Sequence, residues 1–156
     1  MYRTILVPLD TSERAERILP HVEALSVNET SKVLLLHVIE PSALTPSFAV
    51  SQPGAAQITP QGYVEEIEAM RREVKEYLSR IQVMLKSKGL DTEVAIEIGP
   101  AAERIVHVAE DRGADLIALA SHGRTGLSRV FFGSVAAAVL NRSEAPLLLV
   151  RSRDAS

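Results

Sequence analysis

Apolar runs alternate with amphipathic stretches along the chain. Five runs rich in Val, Ile and Leu predict β-strands at residues 2–9, 32–39, 92–98, 115–120 and 146–151. Between them, apolar residues recur at spacings of three and four, which predicts helices at residues 13–25, 63–88, 100–112 and 135–142. This alternation predicts an α/β fold, with an open, parallel, five-stranded sheet and helices on both faces.

Two segments depart from this pattern. Residues 40–62 contain four prolines and two glycines, which predicts a long irregular loop. Residues 152–156 are polar and are predicted to fray. Because no internal repeat or low-complexity tract divides the rest, we predict a single domain over residues 1–156.

The composition narrows the classes of function. A chain of 156 residues, 46% hydrophobic and 24% charged, is typical of one globular domain. Its net charge of −3 argues against a nucleic-acid partner, and the absence of cysteine excludes disulfides and thiolate metal sites. No apolar run approaches the ~20 residues of a membrane span, and the first residues carry no secretory-signal pattern. We therefore expect a cytoplasmic protein without a membrane partner.

The segment at residues 120–134 carries the most informative chemistry. It has the sequence Ala-Ser-His-Gly-Arg-Thr-Gly-Leu-Ser-Arg-Val-Phe-Phe-Gly-Ser and lies between a predicted strand and a predicted helix. Glycines let a phosphate approach the backbone, and free N–H groups at a helix start attract negative charge. The segment therefore predicts a nucleotide-binding site.

The two commonest phosphate-binding loops are absent. In an open α/β sheet the ligand lies beyond the carboxyl ends of the strands, where the strand order reverses. The loop after the first strand, residues 8–14, has no glycine, so the dinucleotide fingerprint G-x-G-x-x-G is missing. No glycine pair is followed by Lys and a hydroxyl, which excludes a P-loop. A response regulator is also disfavoured, because Asp10 stands alone and the last strand ends in Arg151.

The spacing of this segment resembles that of the universal stress protein family. Nucleotide-binding members carry G-x-x-G, nine residues, and then G-[ST]; this chain has Ala120-x-x-Gly123, nine residues, and then Gly133-Ser134. Four further stretches resemble the family: Val-Pro-Leu-Asp10, His37-Val38, Gly99-Pro100-Ala101 and Ala-Pro-Leu-Leu-Leu-Val150. The resemblance spans essentially the whole chain. We therefore predict a fold that is Rossmann-like, or like that of the adenine-nucleotide α-hydrolases, with the strand order 3-2-1-4-5.

The resemblance implies an adenine-nucleotide site. Asp10 would contact the adenosine part, Pro8 would line the adenine pocket, and backbone groups of Val38 would recognise the adenine edge. The implied ligand is ATP, with AMP or ADP as alternatives, and Mg²⁺ or Mn²⁺ would be held through the phosphates. No catalytic residue and no protein metal ligand is predicted. The predicted nucleotide-binding residues are Pro8, Asp10, Val38, Ala120, Ser121, His122, Gly123, Arg124, Thr125, Gly126, Gly133, Ser134, Val135 and Ala136.

Ala120 is the one departure from the family's pattern, because it stands where the family has its first glycine. If the site needs only a small side chain there, alanine serves as well as glycine. If the site needs a positive φ, alanine damages binding. We favour the first interpretation.

Simpler structural roles compete with these assignments. Asp10 could only cap the following helix, and Ser134 could be a plain N-cap that contributes about 1 kcal/mol. Gly123 could be an ordinary loop glycine, and Arg124 either contacts phosphate or is solvated. Three histidines show no metal-ligand spacing and are predicted to be structural: His21, His37 and His107.

The leading hypothesis for function is a universal stress protein that binds adenine nucleotide and acts as a nucleotide-dependent switch in the stress response. One alternative is a slow ATPase or nucleotide hydrolase, although no general base is evident. Another is an interaction protein that no longer binds nucleotide. The resemblance also implies a homodimer through the C-terminal strand, residues 146–151, whose apolar edge favours pairing. A further protein partner, of unknown identity, is expected.

Overall fold

A computed structural model of the chain describes residues 2–26, 31–40, 60–122 and 133–152. Its strands are β1 (Thr4–Pro8), β2 (Lys32–Ile39), β3 (Asp91–Ile98), β4 (Leu116–His122) and β5 (Leu147–Ser152). Its helices are α1 (Glu13–Glu16), α2 (Leu19–Leu25), α3 (Pro60–Ser87), α4 (Ala101–Asp111) and α5 (Ser134–Arg142). Most of the predicted loop and the last four residues of the predicted tail lie outside the described residues.

All five strands are parallel and lie in the order β3-β2-β1-β4-β5. This confirms the predicted α/β sheet and its strand order. The chain builds outward from β1 to β3 on one side and then crosses over to build β4 and β5 on the other. The order therefore reverses between β1 and β4, in the centre of the sheet.

Helices cover both faces of the sheet, as predicted. Alternate residues of β1 point in opposite directions, so Ile5, Val7 and Leu9 join one apolar cluster while Leu6 joins the other. The first cluster packs against α1, α2 and α3, and the second packs against α4 and α5. The central strands are buried on both faces, which explains why their sequences are almost continuously apolar.

The predicted helix at residues 13–25 is wrong in one respect, because the structure divides it into α1 and α2. Pro20 is the physical reason. It has no N–H to donate to the carbonyl of Glu16, and its ring crowds that carbonyl. At the break, Arg17 and Ile18 bond three residues back, to Arg14 and Ala15, at 3.2 and 3.3 Å. The chain thus makes a tight turn and starts α2 with proline in its first turn.

Several other element boundaries differ by a few residues. Helix α3 begins at Pro60, so the last three residues of the predicted loop are helical, since proline is tolerated in a first helical turn. Strand β4 reaches His122, two residues past its predicted end, because it continues to pair with β5 up to Ser152. Helix α4 begins one residue after Pro100, and α5 begins at Ser134.

Within the described residues, no helix is both long enough and apolar enough to cross a membrane.

Candidate functional site

A crevice opens between β1 and β4 at the carboxyl edge of the sheet. Strand β1 pairs with β2 as far as Pro8, but its pairing with β4 stops at Leu6 and Ile117. Pro8 explains the difference. The carbonyl of Thr4 accepts from the N–H of Asp115, just before β4, so the backbone groups of Thr4 are directed toward β4. Every second residue of a strand directs its backbone groups to the same side, so those of Pro8 also face β4. Having no N–H, Pro8 cannot donate the next hydrogen bond, and the ladder ends there.

This crevice lies where the strand order reverses, the position at which open α/β sheets bind ligands. On one side it is bordered by the ends of β1 and β2, and on the other by the end of β4. The start of α5 lies near the same edge, because α5 ends at Arg142 and only four residues connect it to the amino end of β5. The topology therefore places the described residues predicted for nucleotide binding at the same edge of the sheet.

On the β1 side, Asp10 is held by a tight turn. Its Oδ1 accepts from the backbone N–H of Ser12 at 3.0 Å and from the Ser12 hydroxyl at 2.5 Å. The Ser12 Oγ in turn accepts from the N–H of Ala15 at 3.1 Å, so Ser12 is the N-cap of α1. Asp10 is exposed, and its Oδ2 has no partner within the described residues. Asp10 therefore does not cap α1 itself but holds the capping residue Ser12 in place. Its second carboxylate oxygen remains available to accept from a ligand hydroxyl.

The same turn contains Thr11, whose φ is 67°. A β-branched residue rarely adopts this left-handed conformation, and doing so costs about 1–3 kcal/mol. The two hydrogen bonds from Ser12 to Asp10 hold the turn against this cost. The carboxylate of Asp10 is thus fixed in position rather than free to rotate.

Strand β2 presents a backbone edge beside the end of β1. The Leu36 carbonyl accepts from the N–H of Leu9 at 2.8 Å, so the N–H and C=O of Val38, two residues further on, also point toward β1. No backbone hydrogen bond joins Val38 to Leu9 in the described part of the chain. Instead, Nδ1 of His37 lies 2.7 Å from the Leu9 carbonyl oxygen. His37 is therefore a satisfied structural histidine, as predicted.

On the β4 side, Ala120 lies within a regular strand, paired with Val150. Among the described non-glycine residues, only Thr11 has a positive φ, so the backbone of Ala120 is one that any residue can adopt. Its half-buried methyl group packs with the α1–α3 cluster. The next residue, Ser121, is buried. The structure therefore does not need a positive φ at position 120, and alanine fits there without backbone strain.

The start of α5 supplies the other wall of the site. Its N-cap position is Gly133, whose carbonyl accepts from the N–H of Ala137 at 2.9 Å. The interpretation of Ser134 as a plain N-cap is therefore wrong: the helix begins one residue earlier than expected, and Ser134 is its first residue, with an exposed side chain. The N–H groups of Ser134, Val135 and Ala136 precede the first intrahelical hydrogen bond and point out of the helix end.

The backbone conformation and the described surroundings of Gly133 would also accommodate a side chain. Its φ is −53°, and an added Cβ would meet no atom within 4 Å among the described residues. Neither backbone conformation nor packing against the described chain therefore requires a bare backbone here. Glycine is favoured over alanine at an N-cap, and it also lets a ligand approach the helix start closely.

Two features near the site are not predicted by any local sequence motif. Glu40, directly after β2, accepts from the N–H of Ala101 at 2.7 Å and so caps α4 from 61 residues away. Tyr77 of α3 has a buried hydroxyl, and burial, reinforced by the nearby carboxylates of Glu16 and Asp10, raises its pKa well above the usual value. Tyr77 therefore stays neutral beside Asp10. Both features depend on residues that are far apart in the chain, so they leave no local signal in the sequence.

Some predicted site residues lie outside the described residues. They are Gly123, Arg124, Thr125 and Gly126; His122 is described for its backbone alone. Among the described residues, no group of three or more His, Asp or Glu side chains could hold a metal ion. Mg²⁺ or Mn²⁺, if it enters this site, would need the phosphates of the ligand as its main anchor.

Comparison with known proteins gives consistent matches over the whole chain. The model of the universal stress protein family matches residues 1–151. The universal stress protein MJ0577 of Methanocaldococcus jannaschii is 35% identical over 160 residues, which cover 99% of this chain and 98% of that protein. Its solved structure superimposes with a TM-score of 0.82 at 32% identity, covering 99% of both chains.

Two more distant structures of universal stress proteins contain a ligand. One is a complex with cAMP, at 22% identity and a TM-score of 0.59, covering 96% of this chain and 97% of the other. The second comes from Archaeoglobus fulgidus in complex with dAMP, at 21% identity and a TM-score of 0.61, covering 96% and 98%. At this level of identity they share the fold with the present chain.

Proposed function

Because the chain belongs to the universal stress protein family, we propose that it binds an adenine nucleotide in the crevice between β1 and β4. The favoured ligand is ATP, with ADP or AMP as alternatives. In this proposal the protein acts as a switch in the stress response, and occupancy of the site changes the surface that it offers to a partner. Family membership, the cAMP and dAMP complexes of relatives and the geometry of the crevice support the nucleotide site.

The base would lie against the end of β2. The N–H and C=O of Val38 point toward β1 without a backbone partner in the described chain, so they offer one donor and one acceptor. Adenine presents a complementary pair, the N6 amino group as donor and a ring nitrogen as acceptor. Pro8 keeps the crevice open at this point, and the free oxygen of Asp10 is available to a ribose hydroxyl.

The phosphates would lie against α5. Three N–H groups at the start of this helix point out of its end, where they could donate to an anion, and the helix dipole adds to the attraction for negative charge. Gly133 lets a phosphate oxygen approach these groups, and the exposed Ser134 adds a hydroxyl. Each hydrogen bond to a charged group contributes roughly 1.5–3 kcal/mol when well formed. Mg²⁺ or Mn²⁺ bound to the phosphates would offset their charge.

The single observation that carries the proposal is the unpaired backbone edge of Val38 beside an open crevice at the strand-order reversal. Titration calorimetry with ATP, ADP, AMP and GTP tests it directly, together with mass spectrometry of nucleotides that remain bound after purification. We expect adenine nucleotides to bind and GTP to bind more weakly. If none of the adenine nucleotides binds at millimolar concentration, the proposed function is wrong.

Replacing Ala120 with glycine is expected to leave the affinity for ATP within about threefold of the wild-type value. The backbone of Ala120 is that of a regular strand, so glycine gains nothing from its freedom at positive φ. Glycine is expected to lower the free energy of unfolding by about 0.5–1 kcal/mol, since it costs entropy inside a strand. Calorimetric titration and urea unfolding measure the two effects. A gain of tenfold or more in ATP affinity would show that alanine does impair this site.

We also propose that the protein forms a homodimer through the edge of β5. This strand lies at the end of the sheet, and the Pro146 carbonyl accepts from the N–H of Ile117, so alternate residues, Arg151 among them, direct their N–H groups outward. An open edge of this kind pairs readily with a second copy.

The substitution Arg151→Pro removes an outward N–H from an exposed position without removing packed atoms. We expect light scattering to give twice the 17.0 kDa chain mass for the wild type and a larger monomer fraction for the variant. A dimer of unchanged strength in Arg151→Pro would place the interface elsewhere.

A further inference from the structure

We propose that His37 is a positioning residue that sets base specificity: it occupies the Leu9 carbonyl and thereby leaves the N–H of Val38 free for the ligand. This inference rests on the proposed function for its consequence but not for its geometry. The geometry is a contact of 2.7 Å between His37 Nδ1 and the Leu9 carbonyl oxygen, at the carboxyl edge of the sheet.

A regular parallel ladder would place a different donor at this oxygen. Leu9 donates its N–H to the carbonyl of Leu36, and in a parallel pair the same residue then accepts from the second residue onward, here Val38. That hydrogen bond is not present among the described backbone contacts. The side chain of His37 therefore takes the place of the backbone hydrogen bond from Val38 to Leu9, just beyond the end of β1, where the crevice begins.

The replacement matters because Leu9 is buried. The whole residue is 3% exposed, and a buried carbonyl without a hydrogen bond costs free energy. If His37 did not donate, the regular parallel ladder would supply the N–H of Val38 as the donor, and closing that rung would remove the donor from the crevice. Since a carbonyl only accepts, Nδ1 must carry a proton, and both the Nδ1–H tautomer and the imidazolium meet this requirement.

The free N–H gives the edge of β2 its chemical character. With it, Val38 offers one donor and one acceptor, a pair that matches adenine, whose N6 amino group donates and whose N7 accepts. Guanine offers two acceptors, O6 and N7, on the corresponding edge, and O6 would face the carbonyl of Val38. Without the N–H, the edge would retain only its carbonyl, and both the affinity for adenine and the preference over guanine would fall.

The substitution His37→Phe tests this inference, because phenylalanine keeps a planar ring and has no donor. We expect the affinity for ATP to fall about tenfold, the cost of one hydrogen bond of about 1.4 kcal/mol. We also expect the ratio of ATP to GTP affinity to shrink. The variant His37→Asn is the conservative rescue, since its Nδ2 stands at the same distance along the side chain as Nδ1. It should restore most of the ATP preference. His107→Phe, on the exposed face of α4, is the matched control and should behave as the wild type.

Amide hydrogen exchange of the nucleotide-free protein tests the geometry independently. In the wild type the N–H of Val38 should exchange rapidly, and in His37→Phe it should become protected at least about tenfold as the rung to Leu9 closes. Rapid exchange in both proteins, or an unchanged ATP to GTP ratio in a folded His37→Phe, would overturn the inference. A wild type whose Val38 is unprotected but which binds no nucleotide would overturn the proposed function and the base specificity, while leaving the backbone geometry confirmed.

Discussion

Replacing Gly133 with alanine is expected to lower the affinity for ATP by about ten- to a hundredfold, or roughly 1.4–2.8 kcal/mol. The added methyl group would stand at the start of α5, where the phosphates are proposed to meet the N–H groups of the first turn. Displacing a phosphate by about 1 Å weakens several charge-assisted hydrogen bonds at once, each contributing roughly 1.5–3 kcal/mol. The larger side chain of Gly133→Val should increase the loss further.

The fold itself should tolerate this change. At Gly133, φ is −53° and an added Cβ meets nothing within 4 Å among the described residues. Replacing glycine at an allowed conformation stabilises the folded state by about 0.4–1 kcal/mol, whereas alanine is a poorer N-cap than glycine by a similar amount. We therefore expect the free energy of unfolding to change by less than about 1 kcal/mol. Urea unfolding measures this directly.

Adenosine provides the control for this experiment, because it has the base and ribose but no phosphate. Calorimetry should give the same adenosine affinity for Gly133→Ala and for the wild type. If ATP and adenosine lose affinity together, the methyl group acts through the fold or the base pocket, and the phosphates do not lie at α5. An unchanged ATP affinity would exclude this helix start from the site.

Much of this fold is evident from local patterns. The alternation of apolar runs and amphipathic stretches gives the type and order of the main elements, and the structure confirms the five-stranded parallel sheet. The periodic apolar positions on both sides of Pro20 predict one helix, whereas the proline divides it into α1 and α2. The predicted strand ends at Ala120, whereas pairing with Arg151 keeps Ser121 in β4.

The candidate site was predictable only in part. A motif and its spacing predict Gly133 as a site residue, and the family resemblance implies Asp10 and Val38, while the rule for open α/β sheets predicts a site at the carboxyl ends of the strands. What the sequence could not show is how the described groups are held. The contact of His37 with Leu9 and that of Glu40 with Ala101 each join different elements, so neither leaves a periodic or local signal.

A contact at the opposite edge of the sheet is likewise not predictable from local sequence, because it also joins residues far apart in the chain. Asp115, just before β4, accepts from the backbone N–H of Arg3 at 2.8 Å through Oδ2 and from that of Thr4 at 3.0 Å through Oδ1. Its own N–H donates to the Thr4 carbonyl at 3.0 Å. One residue thus joins the amino ends of β1 and β4 across 111 or more positions of the chain. It holds together the two strands that separate at the crevice.

Replacing Asp115 with alanine is expected to lower the free energy of unfolding by about 1.5–3 kcal/mol, the contribution of hydrogen bonds to a charged acceptor. The backbone carbonyl contact would remain, and water would satisfy the more exposed N–H in part, which places the loss within this range. Asp115→Asn keeps one oxygen and should lose about half as much. Urea unfolding with an unchanged m-value measures both.

A substitution of another aspartate, on the surface, distinguishes the loss of the Asp115 hydrogen bonds from a general effect of removing a negative charge. Asp111, at the end of α4, pairs with Arg112 at 3.5 Å and is 65% exposed, so Asp111→Ala should change stability by less than about 0.5 kcal/mol. Asp115 lies at the edge of the sheet away from the crevice, and its alanine variant should retain the ATP affinity of the wild type at temperatures where it is folded. If Asp115→Ala is no less stable than Asp111→Ala, the amino ends of β1 and β4 are held by their backbone ladder alone.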